Sequence, residues 1–150
     1  MSFDHKITDL KFHIDKLVPT NVCQYFIDFY ENNIQHSKPE TSYKYQTKKN
    51  EYDNYGCINL TALYDKDKTF EEPLNIAKKY IGVMITNYEL YIRNNICPMF
   101  DLTTMSQSSN IRILKYEKGS HIKDHSDVDF NIRASCTLNL NEDYEGGDFR

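Results

Sequence analysis

Tryptophan is absent from this chain of 150 residues. Also missing is any apolar run approaching the roughly 20 residues that a membrane-spanning helix needs. The opening Met1-Ser2-Phe3-Asp4-His5-Lys6 is polar and carries no secretory apolar region. The four cysteines, Cys23, Cys57, Cys97 and Cys136, contain no Cys-x-x-Cys pair. These absences lead us to expect a cytoplasmic, reducing location with four free thiols and no membrane association. Cys23 and Cys136 lie in apolar patterns and are expected in the core. A positive excess is missing too: 18 Lys and Arg against 22 Asp and Glu give a net charge of −4. That argues against a nucleic-acid binder, which normally carries a basic face. The broken basic run Lys44–Lys49 reads as a solvated loop. There is no internal repeat and no low-complexity linker. Finally, no histidine follows His125, and the sequence stops at Arg150 inside what reads as a strand.

What is present is enough for one domain with a real core. Residues Ile7–Val18 read as a short opening strand, with Phe12, Ile14 and Leu17 as apolar contacts. Pro19-Thr20-Asn21 is a helix start in which Thr20 or Asn21 can cap free backbone N–H groups. Val22, Tyr25, Phe26, Phe29 and Tyr30 then recur at helical spacing within Val22–Ile34. Residues Gln35–Gly56 are polar and read as a surface loop holding a strand fragment, and Cys57–Tyr64 as a short strand or turn. Glu72-Pro73 opens a second helix, with proline at a tolerated first-turn position. Its apolar stripe runs through Leu74, Ala77, Tyr80, Ile81, Met84, Ile85, Tyr88 and Ile92. Asn94-Asn95 and Pro98 end it.

The texture changes after Ser106. Asn110–Glu117 alternates, with Ile111, Ile113 and Lys115 on one side and Arg112, Leu114 and Tyr116 on the other. Lys118-Gly119 reads as a turn and His121–Asp127 as extended chain. Ile132–Asn141 reads as a strand with Cys136, Leu138 and Leu140 on one face. Gly146-Gly147 closes a turn before a strand beginning at Asp148. Helices followed by strands predict an α+β domain, with helices packed on one side of a β-sandwich or barrel. Residues 1–105 are expected to form the helical support and first strands, and 106–150 the N-terminal part of a β-rich core within the same domain.

The chemistry concentrates in His125-Ser126-Asp127. In an extended segment a His and an Asp two residues apart point to the same side. Together they offer an imidazole nitrogen and a carboxylate to a divalent metal. These are two thirds of the 2-His-1-carboxylate face of non-haem Fe(II) oxygenases. A His-x-Asp triplet alone is a weak signal. Its surroundings are more specific: Tyr116-x-x-Gly119-x-x-Ile122-x-x-His125-x-Asp127, then Ser135-Cys136-Thr137-Leu138-Asn139-Leu140-Asn141, then Tyr144-Glu145-Gly146-Gly147-Asp148.

In order and separation this run resembles the prolyl 4-hydroxylase-like 2-oxoglutarate/Fe(II) dioxygenases. The resemblance covers about the last quarter of the chain at motif level. It implies a double-stranded β-helix (jelly-roll) core, with Fe(II) held by His125, Asp127 and a distal His. The implied cosubstrates are 2-oxoglutarate and O2. Members of that family decarboxylate 2-oxoglutarate to succinate and CO2 while hydroxylating a C–H bond of a protein, peptide or small-molecule substrate. Ascorbate often keeps their iron reduced. The negative charge of Asp127 would lower the Fe(III)/Fe(II) potential, and His125 is a nitrogen ligand suited to Fe(II). The protein would set geometry and access, while the cofactor carries the hard chemistry.

Tyr116 matches a family position whose phenol commonly hydrogen-bonds the cosubstrate. A strand aromatic packed in the core is an equally good reading of it. Gly119 reads as a turn residue, and Gly146-Gly147 as a bulge or close approach. The chain departs from the family pattern at Ile122, where many prolyl hydroxylases carry Tyr, and in the register of Arg133. The distal His and the downstream Arg or Lys that pairs with 2-oxoglutarate are not in the sequence, and Arg150 comes too early to match. His121 shares a face with His125 and Asp127 in a continuous strand. It would nevertheless lie roughly 20 Å from Asp127 at ~3.3 Å per residue, too far for one metal. His5, His13 and His36 read as surface or core-edge residues.

Three expectations follow. One is a dioxygenase whose C-terminal strands lie beyond Arg150. Another is a catalytically degenerate jelly-roll used for binding or assembly. The third is a zinc hydrolase drawing ligands from the N-terminal half. Gln35–Gly56 and Asp101–Ser109 are the candidate substrate loops.

Overall fold

A computed structural model describes residues 10–39, 55–100, 110–120 and 134–145. Within them lie three α-helices, α1 (Thr20–Asn32), α2 (Leu60–Lys66) and α3 (Glu71–Asn95), and three strands, β1 (Lys38–Pro39), β2 (Gly56–Asn59) and β3 (Arg112–Lys115). The strands form one antiparallel sheet in the order β1-β2-β3. No helix among the described residues is long and apolar enough to cross a membrane.

Both long helices form where the apolar spacing places them. In α1, Phe26 and Tyr30, one turn apart, are buried, with Val22, Tyr25 and Phe29 packed beside them. The start of α1 differs from expectation. Neither Thr20 nor Asn21 caps it; the chain enters through Pro19, whose carbonyl accepts from the N–H groups of Val22 and Cys23 at 2.9 and 3.0 Å. In α3, Pro73 sits in the first turn beside Glu71 and Glu72, where negative charge suits the helix dipole. Leu74, Ala77 and Ile92 on its stripe are buried.

Cys57–Tyr64 resolves into two elements. Strand β2 ends at Asn59, whose Oδ1 accepts from the Ala62 N–H at 2.9 Å and so caps α2. The core gathers Phe26, Tyr30, Ile58, Leu60, Leu74, Ala77, Ile111 and Ile113. Ile58, Leu60 and Leu74 are almost completely excluded from solvent. The helices therefore cover one face of the sheet, the face carrying Ile58 and Ile113.

Two expected strands are not formed in the described residues. Leu10–Val18 is irregular, with a turn at Asp15-Lys16 and Lys16 at φ 55°. Phe12, Ile14 and Leu17 are half-buried. Phe12 stacks on Tyr91 of α3 at 5.0 Å and tilts against Tyr88 at 6.2 Å, and the Tyr88 hydroxyl donates to the Leu10 carbonyl. The segment packs on a helix instead of pairing with a strand. Residues 134–145 also run without strand pairing.

Two thiols sit differently from expectation. Cys136 is exposed, with its Sγ 3.9 Å from the Met84 Sδ of α3, and Cys23 is half-buried. From the same segment Leu140 packs against the core from a half-buried position.

Candidate functional site

The strand that leads to the metal motif is fixed at both ends. At its start the Ile111 carbonyl accepts from the Leu60 N–H at 2.9 Å, and the Ile111 N–H donates to Thr61 Oγ1 at 3.1 Å. These bonds tie β3 to the first turn of α2. At its end the Lys115 ammonium contacts the Glu31 carboxylate of α1 at 2.7 Å and lies 5.9 Å above the Tyr30 ring. Hydrogen bonding to Glu31, aided by the charges of Glu31 and Glu117, holds the Lys115 pKa above its ordinary value. Between the ends, Ile58 faces Ile113 across the sheet, and both side chains enter the core.

The alternation read from the sequence is the one found. Ile111 and Ile113 are buried, while Arg112, Leu114 and Tyr116 are exposed on the opposite side. Antiparallel register pairs Gly56 with Lys115, Cys57 with Leu114 and Asn59 with Arg112. The face turned away from the helices therefore carries Asn59, Cys57, Arg112 and Leu114. One step beyond the Gly56–Lys115 pair, Tyr55 meets Tyr116. Their rings stack with centroids 4.7 Å apart and planes 26° from parallel. Tyr55 is buried and Tyr116 is 47% exposed.

Directly after Tyr116 the chain turns. The Ser120 N–H donates to the Glu117 carbonyl at 2.8 Å, and the Glu117 N–H donates to Ser120 Oγ at 3.0 Å. Gly119 has φ +86°, a backbone region that side chains other than hydrogen disfavour. The Lys118-Gly119 turn is thus present, and it redirects the chain from β3 into the segment that contains the metal motif.

His125 and Asp127 themselves lie outside the described residues, as do His5, His121, Ile122, Arg133, Gly146, Gly147 and Arg150. So do Lys44–Lys49, most of the Gln35–Gly56 loop and all of Asp101–Ser109. Of the candidate site residues, the structure places Tyr116 alone. Among the described residues no three His, Cys, Asp or Glu side chains gather in a metal-binding group. His13 is exposed, 3.3 Å from Asp15, and His36 packs edge-on against Phe70. The donor set that bears on iron is therefore chemical: an imidazole and a carboxylate at alternate positions, a fitting pair for two sites of a divalent metal.

Tyr55 is the residue that sequence reasoning did not single out. It stands at the end of a polar stretch, beside Gly56, and nothing local marks it as buried or paired. Only the cross-strand register brings it to Tyr116. No family model, no curated protein and no solved structure matches this chain.

Proposed function

We propose that this chain carries the iron-binding strand of a prolyl 4-hydroxylase-like, 2-oxoglutarate/Fe(II)-dependent dioxygenase. The reading rests on the motif run from Tyr116 to Asp148. The structural observation that supports it is the position of Tyr116. This tyrosine directly follows β3 on the face opposite the helical layer, and a tight turn comes after it on the way to His125 and Asp127. In a jelly-roll that face would be the one turned toward a second sheet.

In this reading the His125 imidazole and the Asp127 carboxylate give two ligands to Fe(II), and Asp127 adds the negative charge that favours the oxidised metal. The Tyr116 phenol would offer a hydrogen bond to 2-oxoglutarate. When bound, iron and 2-oxoglutarate would let O2 hydroxylate a C–H bond, one oxygen atom going to the substrate and the other to succinate, with CO2 released. The substrate is a protein side chain, a peptide or a small molecule. Ascorbate would keep the bound iron reduced, and the setting is cytoplasmic.

The test is succinate formation by the native gene product with Fe(II), 2-oxoglutarate and O2. His125→Ala and Asp127→Ala are expected to abolish it while leaving the thermal transition in place. No turnover in the native protein, even uncoupled from substrate, together with 2-oxoglutarate-independent folding and assembly, would replace this reading with that of a non-catalytic binding module.

A further inference from the structure

We propose that Cys136–Leu140 is a self-complementary interaction strand, which pairs in antiparallel fashion with the same segment of a second copy of this chain. The inference goes beyond the dioxygenase reading and does not rest on it. The chain runs from 134 to 144 without a turn or a bend. Its side chains alternate: Leu138 and Leu140 are half-buried, while Thr137, Asn139 and Asn141 are exposed. On the inner side Cys136 Sγ lies 3.9 Å from Met84 Sδ of α3, and Leu140 packs against the core. One face of the segment is thus seated on the molecule. In an extended chain the main-chain N–H and C=O groups point sideways, across the direction of the side chains. Seating that face therefore leaves them unsatisfied. Among the described residues, no main-chain group pairs with those of Cys136–Asn141.

The composition of the segment fits a second copy as the occupant of that edge. Strand edges are ordinarily guarded by charge, proline or a bulge. Ala134–Asn141 contains no charged residue, no proline and no glycine. Its apolar–polar alternation is symmetric about Leu138. An antiparallel two-fold centred there sets Leu138 against its own copy, Cys136 against Leu140 and Thr137 against Asn139 across the axis. Every apolar residue then meets an apolar one, and the exposed Thr–Asn pairs can exchange hydrogen bonds. Charge fixes the direction. In the sequence the uncharged run is preceded by Arg133 and followed by Glu142 and Asp143. Parallel pairing would set like charge against like, whereas antiparallel pairing brings the acidic flank of one copy toward the basic flank of the other. A strand has two edges, so pairing within the chain at one leaves the other for the second copy.

The experiment is sedimentation equilibrium of the native gene product and its variants. The thiols are kept reduced, so that a disulfide at the exposed Cys136 does not contribute. A dimer is expected for the native protein. Thr137→Lys combined with Asn139→Lys sets like charges opposite each other twice across the axis, and is expected to weaken association by about tenfold or more. Both positions are exposed, so the far-UV circular dichroism should not change. Thr137→Lys combined with Asn139→Glu turns both repulsions into attractions in the same register. It is expected to return association to within about threefold of native.

A native monomer would overturn the pairing and leave the dioxygenase reading standing. So would a dimer that survives the paired lysine substitutions, because another surface would then hold it. Should the lysine variant fail to fold, amide exchange in the native protein decides. Protection within Cys136–Leu140 is expected at high concentration and is expected to fall on dilution. Amides that exchange freely at every concentration, or stay protected at every one, would refute the proposal; in the second case a segment of the same chain occupies the edge.

Discussion

Lys115 of β3 reaches Glu31 at the end of α1 with its ammonium 2.7 Å from the carboxylate, joining helix and sheet one residue before Tyr116. The pair bridges 84 positions of sequence. Both partners keep substantial solvent contact, so its contribution is that of an exposed ion pair, about 0.5 kcal/mol. Because the lysine pKa is raised in the folded chain, the contribution is complete below the unfolded lysine value. It disappears as pH climbs through the raised one. Urea unfolding of the native protein and of Glu31→Gln should differ at neutral pH and converge above the ordinary lysine range. A difference that persists there would mean that the pair acts through packing alone.

Gly56 lies beneath a hydrogen-bonded pair. Tyr30 Oη and Ser37 Oγ are 2.7 Å apart, and a Cβ at position 56 would strike the Tyr30 hydroxyl and come within 2.9 Å of Ser37 Oγ. Gly56→Ala should cost about 1–3 kcal/mol, the usual range for overpacking. Tyr30→Phe removes the hydroxyl that clashes. The double variant should therefore lose less than the sum of the two single losses, as measured by denaturant unfolding. Gly119→Ala meets no atom within 4 Å, yet φ is +86°. Its expected cost of about 1–2 kcal/mol comes from the backbone alone, and Tyr30→Phe should not change it.

Leu74 is 1% exposed and sits where α3 meets the sheet and α2. Leu74→Ala removes buried methyl groups and leaves a cavity among Ile58, Leu60 and their neighbours. The expected loss is about 2–5 kcal/mol. Thermal unfolding checks it. A loss below 1 kcal/mol, by the same cavity reasoning, would mean that the core closes around the gap.

Asn59 joins two elements, ending β2 and capping α2 through the Ala62 N–H. Its side-chain amide also donates to Asn110 Oδ1 at 3.2 Å, next to the start of β3. Asn59→Ala should cost about 1 kcal/mol through the lost cap, and Asn59→Asp should retain most of it, because either side chain can accept from the helix N-terminus. Amide exchange of Ala62 provides a local measure and should accelerate in the alanine variant only.

The sequence by itself determined α1, α3 and the two-sided character of β3. Helical spacing in Val22–Tyr30 and along Leu74–Ile92, and strict alternation from Ile111 to Tyr116, are local patterns, and the burial of one stripe or one face satisfies them. It also determined the turn at Gly119, because a positive φ selects glycine. Leu10–Val18 and 134–141 show where the same logic fails. Alternation reports which side chains are buried, but a strand also needs a partner for its backbone. Phe12 found aromatic rings on α3, Cys136 found Met84 of α3, and Leu140 found the core, without one. His125 and Asp127 are legible in the sequence only as a donor pair with telling neighbours. The tertiary structure alone decided the meeting of Tyr55 with Tyr116 and of Glu31 with Lys115. Register and helix placement are settled by packing across the whole core, and no local pattern within either partner encodes them.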